Sequence, residues 1–239
     1  MQALTGSLKR STGSATWEQG STSVVAAAWA PIELKSKRED SLKATLQVLC
    51  KPKLGAPTPR EKAMENLIQP VLQHLVKTDL YPSSTILIVL QIVHDDGSLL
   101  SAALHAACAA LLHARIALRG LLGGCTMAIN SSGQVLLDPN ADEEVEAQQV
   151  LTLSYFIATR DEPAVDATEL LLSHVGSYEA TCQLASSSIS SQNFLAGKHA
   201  CCAVNSFMRD AMTEQDRPIL DAERQRALAL ELVRELQTS

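Results

Sequence analysis

Residues Thr85 to Val93 read TILIVLQIV, and this run constrains the chain more than any other stretch. Aliphatic and β-branched residues follow one another there without polar alternation. That pattern belongs to a central strand covered on both faces, so it calls for helices to cover it. The flanking sequence supplies them. On the N-terminal side Thr58 stands as an N-cap, Pro59 suits the first helical position, and Glu61 completes a capping box. Met64, Leu67, Ile68, Val71, Leu72 and Leu75 then recur every three or four residues as one apolar stripe. Pro70 interrupts the stripe and predicts a kink, because an interior proline removes a backbone bond at about 3 kcal/mol. On the C-terminal side His94-Asp95-Asp96-Gly97-Ser98 turns the chain. Leu99 to His113 follows as an Ala- and Leu-rich helix, with Ser98 or Asp96 near its start.

The rest fits the same scheme. Gly13 to Pro31 reads as two short extended pieces, with Gly13, Gly20 and the polar residues between them supplying the turn and Ser23 to Trp29 rich in small apolar residues. Lys35 to Lys43 is a charged, solvated loop. Ala44 to Cys50 has the period of two expected of a strand. Leu121 to Ile129 and Gln134 to Leu137 form a hairpin joined by Asn130 to Gly133. Asp138 to Gln148 is acidic and irregular, Val150 to Ile157 is another strand, and Arg160 to Asp166 is a loop. Gln192 to Met212 is helical despite Gly197. Pro218 then breaks the chain, and Asp221 caps a last helix with Leu228, Leu232, Val233 and Leu236 on one side. That amphipathic tail can pack on its own domain or dock on a partner. The order of elements gives an α/β fold with a mixed sheet packed with helices, one domain over 12–212 and a helical extension over 213–239.

Composition narrows the function. Only 3% of the 239 residues are aromatic while 46% are hydrophobic, so the core is built from Ala, Leu, Val and Ile. A net charge of -6 argues against an autonomous nucleic-acid binder, though it leaves room for a local basic strip. The six cysteines form no C-x-x-C pair and read as buried free thiols in a reducing compartment. His105 with Cys108, and His199 with Cys202, stand three apart, a spacing that packing explains better than a metal. No apolar run reaches the roughly 18 residues of a membrane span. Met1 to Arg10 lacks the apolar core of a signal peptide, so an intracellular chain without membrane partners is expected.

Four motifs in order resemble the RNase PH family. The first is Gly13-Ser14-Ala15-Thr16-Trp17-Glu18-Gln19-Gly20-Ser21-Thr22-Ser23-Val24-Val25-Ala26, close to G-S-A-x-x-x-x-G-x-T-x-V-h-A. The second is Gln91 to Leu100 (QIVHDDGSLL) followed by Ala102, Ala107 and Ala110. The third is Leu118-Arg119-Gly120-Leu121, and the fourth is Gly133 to Pro139 (GQVLLDP). Within the family the resemblance points to the ring subunits of the eukaryotic RNA exosome. It implies an RNase PH-like fold (ribosomal protein S5 domain 2-like) and a place in a hexameric ring beside other RNase PH-like subunits and cap subunits. Single-stranded RNA threads such a ring toward a hydrolytic nuclease, in the nucleus, the nucleolus and the cytoplasm. No cofactor is implied.

The resemblance also implies a decayed phosphorolytic site. Phosphorolysis needs cations that hold inorganic phosphate beside an anionic backbone. Active members carry an arginine in the helix before the central strand, and ungapped matching puts Pro70 there. They carry G-T-R at the turn into the next helix, where this chain has Gly97-Ser98-Leu99, so Leu99 replaces an arginine. Neither residue can replace a bidentate guanidinium. Asp95 and Asp96 would repel a phosphate approaching that turn. A D-x-D pair before the later strand matches Glu146 and Gln148. A non-catalytic ring subunit is therefore expected.

The alternatives are a homodimeric, weak metal-dependent nuclease, a residually active phosphorolytic exoribonuclease and a small scaffold. Asp95, Asp96, Asp138 and Glu146 are the carboxylates a Mg²⁺ ion would need, and turn chemistry is their plainer explanation. Lys51, Lys53, Arg60 and Arg119 are the candidate RNA-backbone contacts, since phosphate binding is mainly electrostatic.

Overall fold

The computed structural model describes residues 1–33, 43–130, 134–157, 168–175, 195–215 and 217. The charged segment after Glu33, the hairpin turn, the loop at Arg160 to Asp166 and the tail helix expected from Asp221 lie outside the described residues, at least in most of their length.

Two sheets enclose one helix. The first has five strands: β1 (Gln2–Thr5), β2 (Gly13–Gln19), β3 (Thr22–Glu33), β4 (Thr45–Lys51) and β5 (Ser84–His94), in the order β1-β2-β3-β5-β4. β4 and β5 are parallel and the other neighbours antiparallel. The parallel pair requires a crossover, which α1 (Pro59–Leu75) provides. The second sheet is antiparallel, in the order β7-β6-β8-β9. Its strands are β6 (Leu121–Ile129), β7 (Val135–Leu137), β8 (Gln149–Ile157) and β9 (Thr168–Val175).

Between the sheets lies α2 (Leu99–His113), which packs on β2 and β3 on one side and on β6 on the other. Its sequence dictates that position. A helix that is apolar all round must be buried all round, and Ala102, Ala103, Ala106, Ala107, Ala109 and Ala110 are each no more than 1% exposed. Their small side chains let both sheets approach the helix axis. β2 comes so close that a Cβ on Gly13 would sit 2.4 Å from the carbonyl oxygen of Ala110. Residues 195–215 form a further helix, α4, lying across the second sheet. A Cβ on Gly123 of β6 would meet the Cys201 carbonyl oxygen at 2.5 Å.

β5 departs from the expectation of burial on both faces. Its residues alternate, with Ile86, Ile88, Leu90 and Ile92 inside and Leu87, Val89 and Gln91 half-buried. The register explains this. Ile88 lies beside Val48 and Ala28, and Leu90 beside Cys50 and Ala26, so the buried residues of neighbouring strands share one inner face. Both helices cover that face. The outer face keeps Val25, Leu49, Leu87 and Val89 half-buried.

α1 begins as its sequence predicts. The Glu61 carboxylate accepts the Thr58 backbone N–H at 2.6 Å and also the Thr58 hydroxyl, and that hydroxyl bond holds the Glu61 carboxyl below its ordinary pKa. The helix runs through Pro70 to Leu75, with Pro70 on its exposed side. The segment expected to be irregular contains a short helix, α3 (Ala141–Glu146). Asn140 and Glu143 form a capping box there, with the Asn140 N–H donating to the Glu143 carboxylate at 2.9 Å.

Both borders of the first sheet are fastened by side chains. On β1, the Gln215 amide of α4 accepts from the Thr5 N–H at 3.1 Å and donates to the Ala3 carbonyl at 2.9 Å. On β4, the Gln69 amide donates to the Leu46 carbonyl at 3.1 Å, and the Glu65 carboxylate accepts from the Cys50 N–H at 2.8 Å. These are the backbone groups that an edge strand otherwise offers to another chain.

Candidate functional site

A cavity of about 310 Å³ opens where α1 starts, β5 ends and α2 starts. Its lining unites three parts of the sequence: Pro52 and Lys53 after β4, Arg60, Glu61 and Met64 on α1, and Ile92, His94, Asp95 and Leu99 at the β5–α2 turn. The turn is rigidly made. Gly97 has a φ of +87, and a Cβ there would meet the Pro139 carbonyl oxygen at 2.4 Å. Ser98 also lies in the left-handed region, at a φ of +51. Its hydroxyl donates to the Pro139 carbonyl at 3.1 Å. Thr22 braces the turn from β3, its hydroxyl accepting the Asp96 N–H at 3.0 Å and donating to the Gly97 carbonyl at 2.7 Å.

A free helix N-terminus attracts anions. Here the chain's own carboxylate is already present. Glu144 of α3 accepts the Ser98 N–H at 2.7 Å. Burial raises the Glu144 pKa, and Asp95 and Asp138 push it the same way. Arg60 pairs with Asp95 at 3.0 Å, leaving Arg60 exposed and Asp95 partly covered. The floor of the cavity is apolar, because Leu99, Ile92 and Met64 form it.

The residues predicted from sequence divide. Lys53, Arg60 and Leu99 meet at the cavity, and Lys51 is exposed at the end of β4 beside it. Arg119 does not join them. Its N–H donates to the Leu75 carbonyl at 2.9 Å, at the far end of α1, a helix of 17 residues or about 25 Å. Pro70 is absent from the cavity, and Arg60 is the α1 cation that faces Leu99.

The carboxylates divide as well. Asp95 lines the cavity, Asp96 is held at the turn by Thr22, and Asp138 accepts a hydrogen bond from the Gln19 amide. Glu146 and Gln148 are exposed. The carboxylate that reaches the helix terminus is Glu144, two residues before Glu146 in sequence. Its signal was the Asn140–Glu143 capping box, which fixes the helical phase and turns Glu144 inward. Among the described residues no three His, Cys, Asp or Glu side chains converge as a metal site.

His105 lies fully buried in α2, where its Nε2 accepts the Gly124 N–H at 2.8 Å. The Trp17 ring stands 4.8 Å away, centroid to centroid. Burial drives its pKa down to about 3, and the Gly124 N–H points at a lone pair that only the neutral ring has. Cys108 is buried too, its thiol pushed up to about 11 by burial. These two residues serve packing. A second cavity of about 320 Å³ lies between β6 and α4, and Asp138 is the charged side chain in its lining, so it does not suit an anion.

Comparison with known proteins agrees with this arrangement. Residues 1–117 match the RNase PH family, described as the 3′ exoribonuclease family, domain 1. An exosome complex exonuclease RRP46 homologue of Arabidopsis thaliana is 39% identical over 137 residues, covering 57% of this chain and 57% of the relative. The corresponding protein of Oryza sativa is 35% identical over 162 residues, covering 68% of this chain and 67% of the relative. The chain thus spans little more than half the length of the first relative. The crystal structure of rice Rrp46 superposes with a TM-score of 0.74 at 29% identity, covering 88% of this chain and 91% of that one.

Proposed function

The chain belongs to the RNase PH 3′ exoribonuclease family, and from that premise we propose that it is a non-catalytic ring subunit of an RNA exosome. The observation that carries the second half of this reading is the start of α2. Leu99 stands where the family resemblance implies an arginine, and the adjacent Ser98 N–H already binds the Glu144 carboxylate. An orthophosphate brought there would meet Lys53 and a guanidinium already paired with Asp95, an aliphatic floor in place of a second guanidinium, and the Glu144 carboxylate at the helix terminus. Charge repulsion and the missing donor both weaken a nucleophilic phosphate in that position.

The half-exposed aliphatic outer face of the first sheet suits a neighbouring subunit. Its partners on this reading are other RNase PH-like ring subunits, cap subunits and a hydrolytic nuclease, with single-stranded RNA passing through. Its places of action are the nucleus, the nucleolus and the cytoplasm. Lys51, Lys53 and Arg60 form the basic strip that would touch the RNA backbone, while Arg119 would act at a separate point. The ring domain takes in β1 at its start and reaches Gln215 on α4, wider at both ends than the 12–212 expected from sequence, and the residues after 217 would be the extension for a partner.

Native mass spectrometry of the tagged protein, isolated gently from its own cells, tests the reading. The expected result is an assembly of many different subunits. A lone monomer or homodimer with Mg²⁺-dependent nuclease activity would overturn it.

A further inference from the structure

The cavity of about 320 Å³ between β6 and α4 keeps apolar surface open to solvent. Met1 and Leu137 line it while 51% and 47% exposed. α4 contributes Ala200, Ala203, Val204 and Phe207, spaced three and four apart as one side of a helix. Asp138 is the charged side chain there, and the Gln19 amide already donates to it. The lining thus offers little to a polar ligand and suits a row of aliphatic side chains.

The C-terminal tail of this chain carries such a row. In the sequence, Asp221 caps a helix whose apolar side holds Leu228, Leu232, Val233 and Leu236. The tail leaves α4 from a fixed place, since Gln215 binds β1 at Thr5 and Ala3. Arg217 is the last residue the structure describes, and Pro218, Ile219 and Leu220 then precede Asp221. Antiparallel helices are joined by roughly 2–8 residues, and a proline suits the break between them.

A chain that returns about Pro218 sets side by side the residues equally far from it. Leu232 then stands at the level of Val204, Val233 at that of Ala203 and Leu236 at that of Ala200, with Leu228 one residue from the level of Phe207. Asp221 to Leu236 spans roughly 22 Å as a helix, the same as α4 from Ala200 to Gln215. Charge agrees with this register, because Arg224 comes level with Met212, between the exposed Asp210 and Glu214.

We propose that the tail from Asp221 to Leu236 folds back along α4 as an antiparallel helix and fills this cavity with Leu228 and Leu232. Its apolar side then faces its own domain, and Glu223, Arg226 and Arg234 are left for a partner of the extension. This docking needs no ring around the chain.

Methyl NMR of the full chain, without substitutions, tests it. The Leu232 methyls should show nuclear Overhauser contacts to the Val204 methyls and the Phe207 ring. Those contacts should persist when labelled chain is diluted into deuterated, unlabelled chain, which marks them as lying within one molecule. Absence of the contacts overturns the proposal, and so does their loss on dilution, which would put a second copy in the cavity. Two variants read the same register through stability. Leu232→Asp should lower the urea midpoint and raise the fluorescence of an added hydrophobic dye, as the cavity opens. Leu230→Asp, two residues away and on the other side of the tail helix, should leave both unchanged. Equal effects of the two, or none from either, overturn the proposal.

Discussion

Acid should loosen this protein through one histidine. His105 is enclosed by α2, β6 and the Trp17 ring, and its Nε2 is committed to the Gly124 N–H. Protonation would turn a second N–H against that donor and place a charge where no water reaches it. The folded ring therefore stays neutral down to a pKa of about 3, whereas the unfolded ring takes a proton near 6.5. Between those values the unfolded chain holds more protons, so stability is complete above pH 6.5 and drains as pH falls. One proton contributes about 1.4 kcal/mol per pH unit once the unfolded ring is fully protonated, so the step from pH 6.5 to 4.5 costs on the order of 2 kcal/mol. Against a domain stability of about 5–15 kcal/mol that is a large loss. Urea unfolding followed by circular dichroism at several pH values measures it. The control is His105→Gln, whose amide oxygen can still accept the Gly124 N–H but does not titrate. That variant should be less stable at pH 7, with a shallower acid slope, by close to one proton. Parallel slopes for the two proteins would refute the argument.

Gly13→Ala should cost about 3 kcal/mol in the same assay, since its Cβ would press on the backbone of α2 at Ala110 and Ala114 and one layer would have to move. Thr58→Ala should cost about 1 kcal/mol through loss of the α1 cap, seen as a lower urea midpoint with an unchanged slope. Replacing Lys53 and Arg60 by Ala should flatten the salt dependence of RNA binding by the assembled ring by about one unit of slope per lost contact. Replacing Arg119 should leave the cavity's share of that slope unchanged, because it sits at the other end of α1.

What could be read from the sequence was what neighbouring residues decide among themselves. Thr58, Pro59 and Glu61 announce a helix start on their own, and the structure starts α1 at Pro59. The limits of α2, Leu99 and His113, were likewise plain from the turn and the apolar run. The placement of α2 between two sheets was not, because an alanine-rich helix carries no mark of what lies on either side. β1 was missed, for its four residues gain meaning only beside β2 and under Gln215. β9 was missed as well. The acidic segment after Asp138 looked irregular because charge drew attention from the Asn140–Glu143 cap. That oversight moved the site carboxylate from Glu144 to Glu146. Linear matching put Pro70 in the place of the family's arginine, yet the α1 cation that lines the cavity with Leu99 is Arg60, ten residues earlier. Arg119 was placed by its nearness to a motif alone, which says nothing about which end of α1 it meets.

The side-chain fastenings on β1 and β4 bear on assembly. Backbone pairing is a language every subunit of a shared fold speaks equally well, so an open border would greet right and wrong neighbours alike. Gln215, Gln69 and Glu65 silence it at both margins of this sheet. A neighbour that approaches these margins must then identify the chain by the side chains it displays, which are what differ between one related subunit and the next. If the chain is a ring subunit, these three residues help decide which neighbour stands beside it.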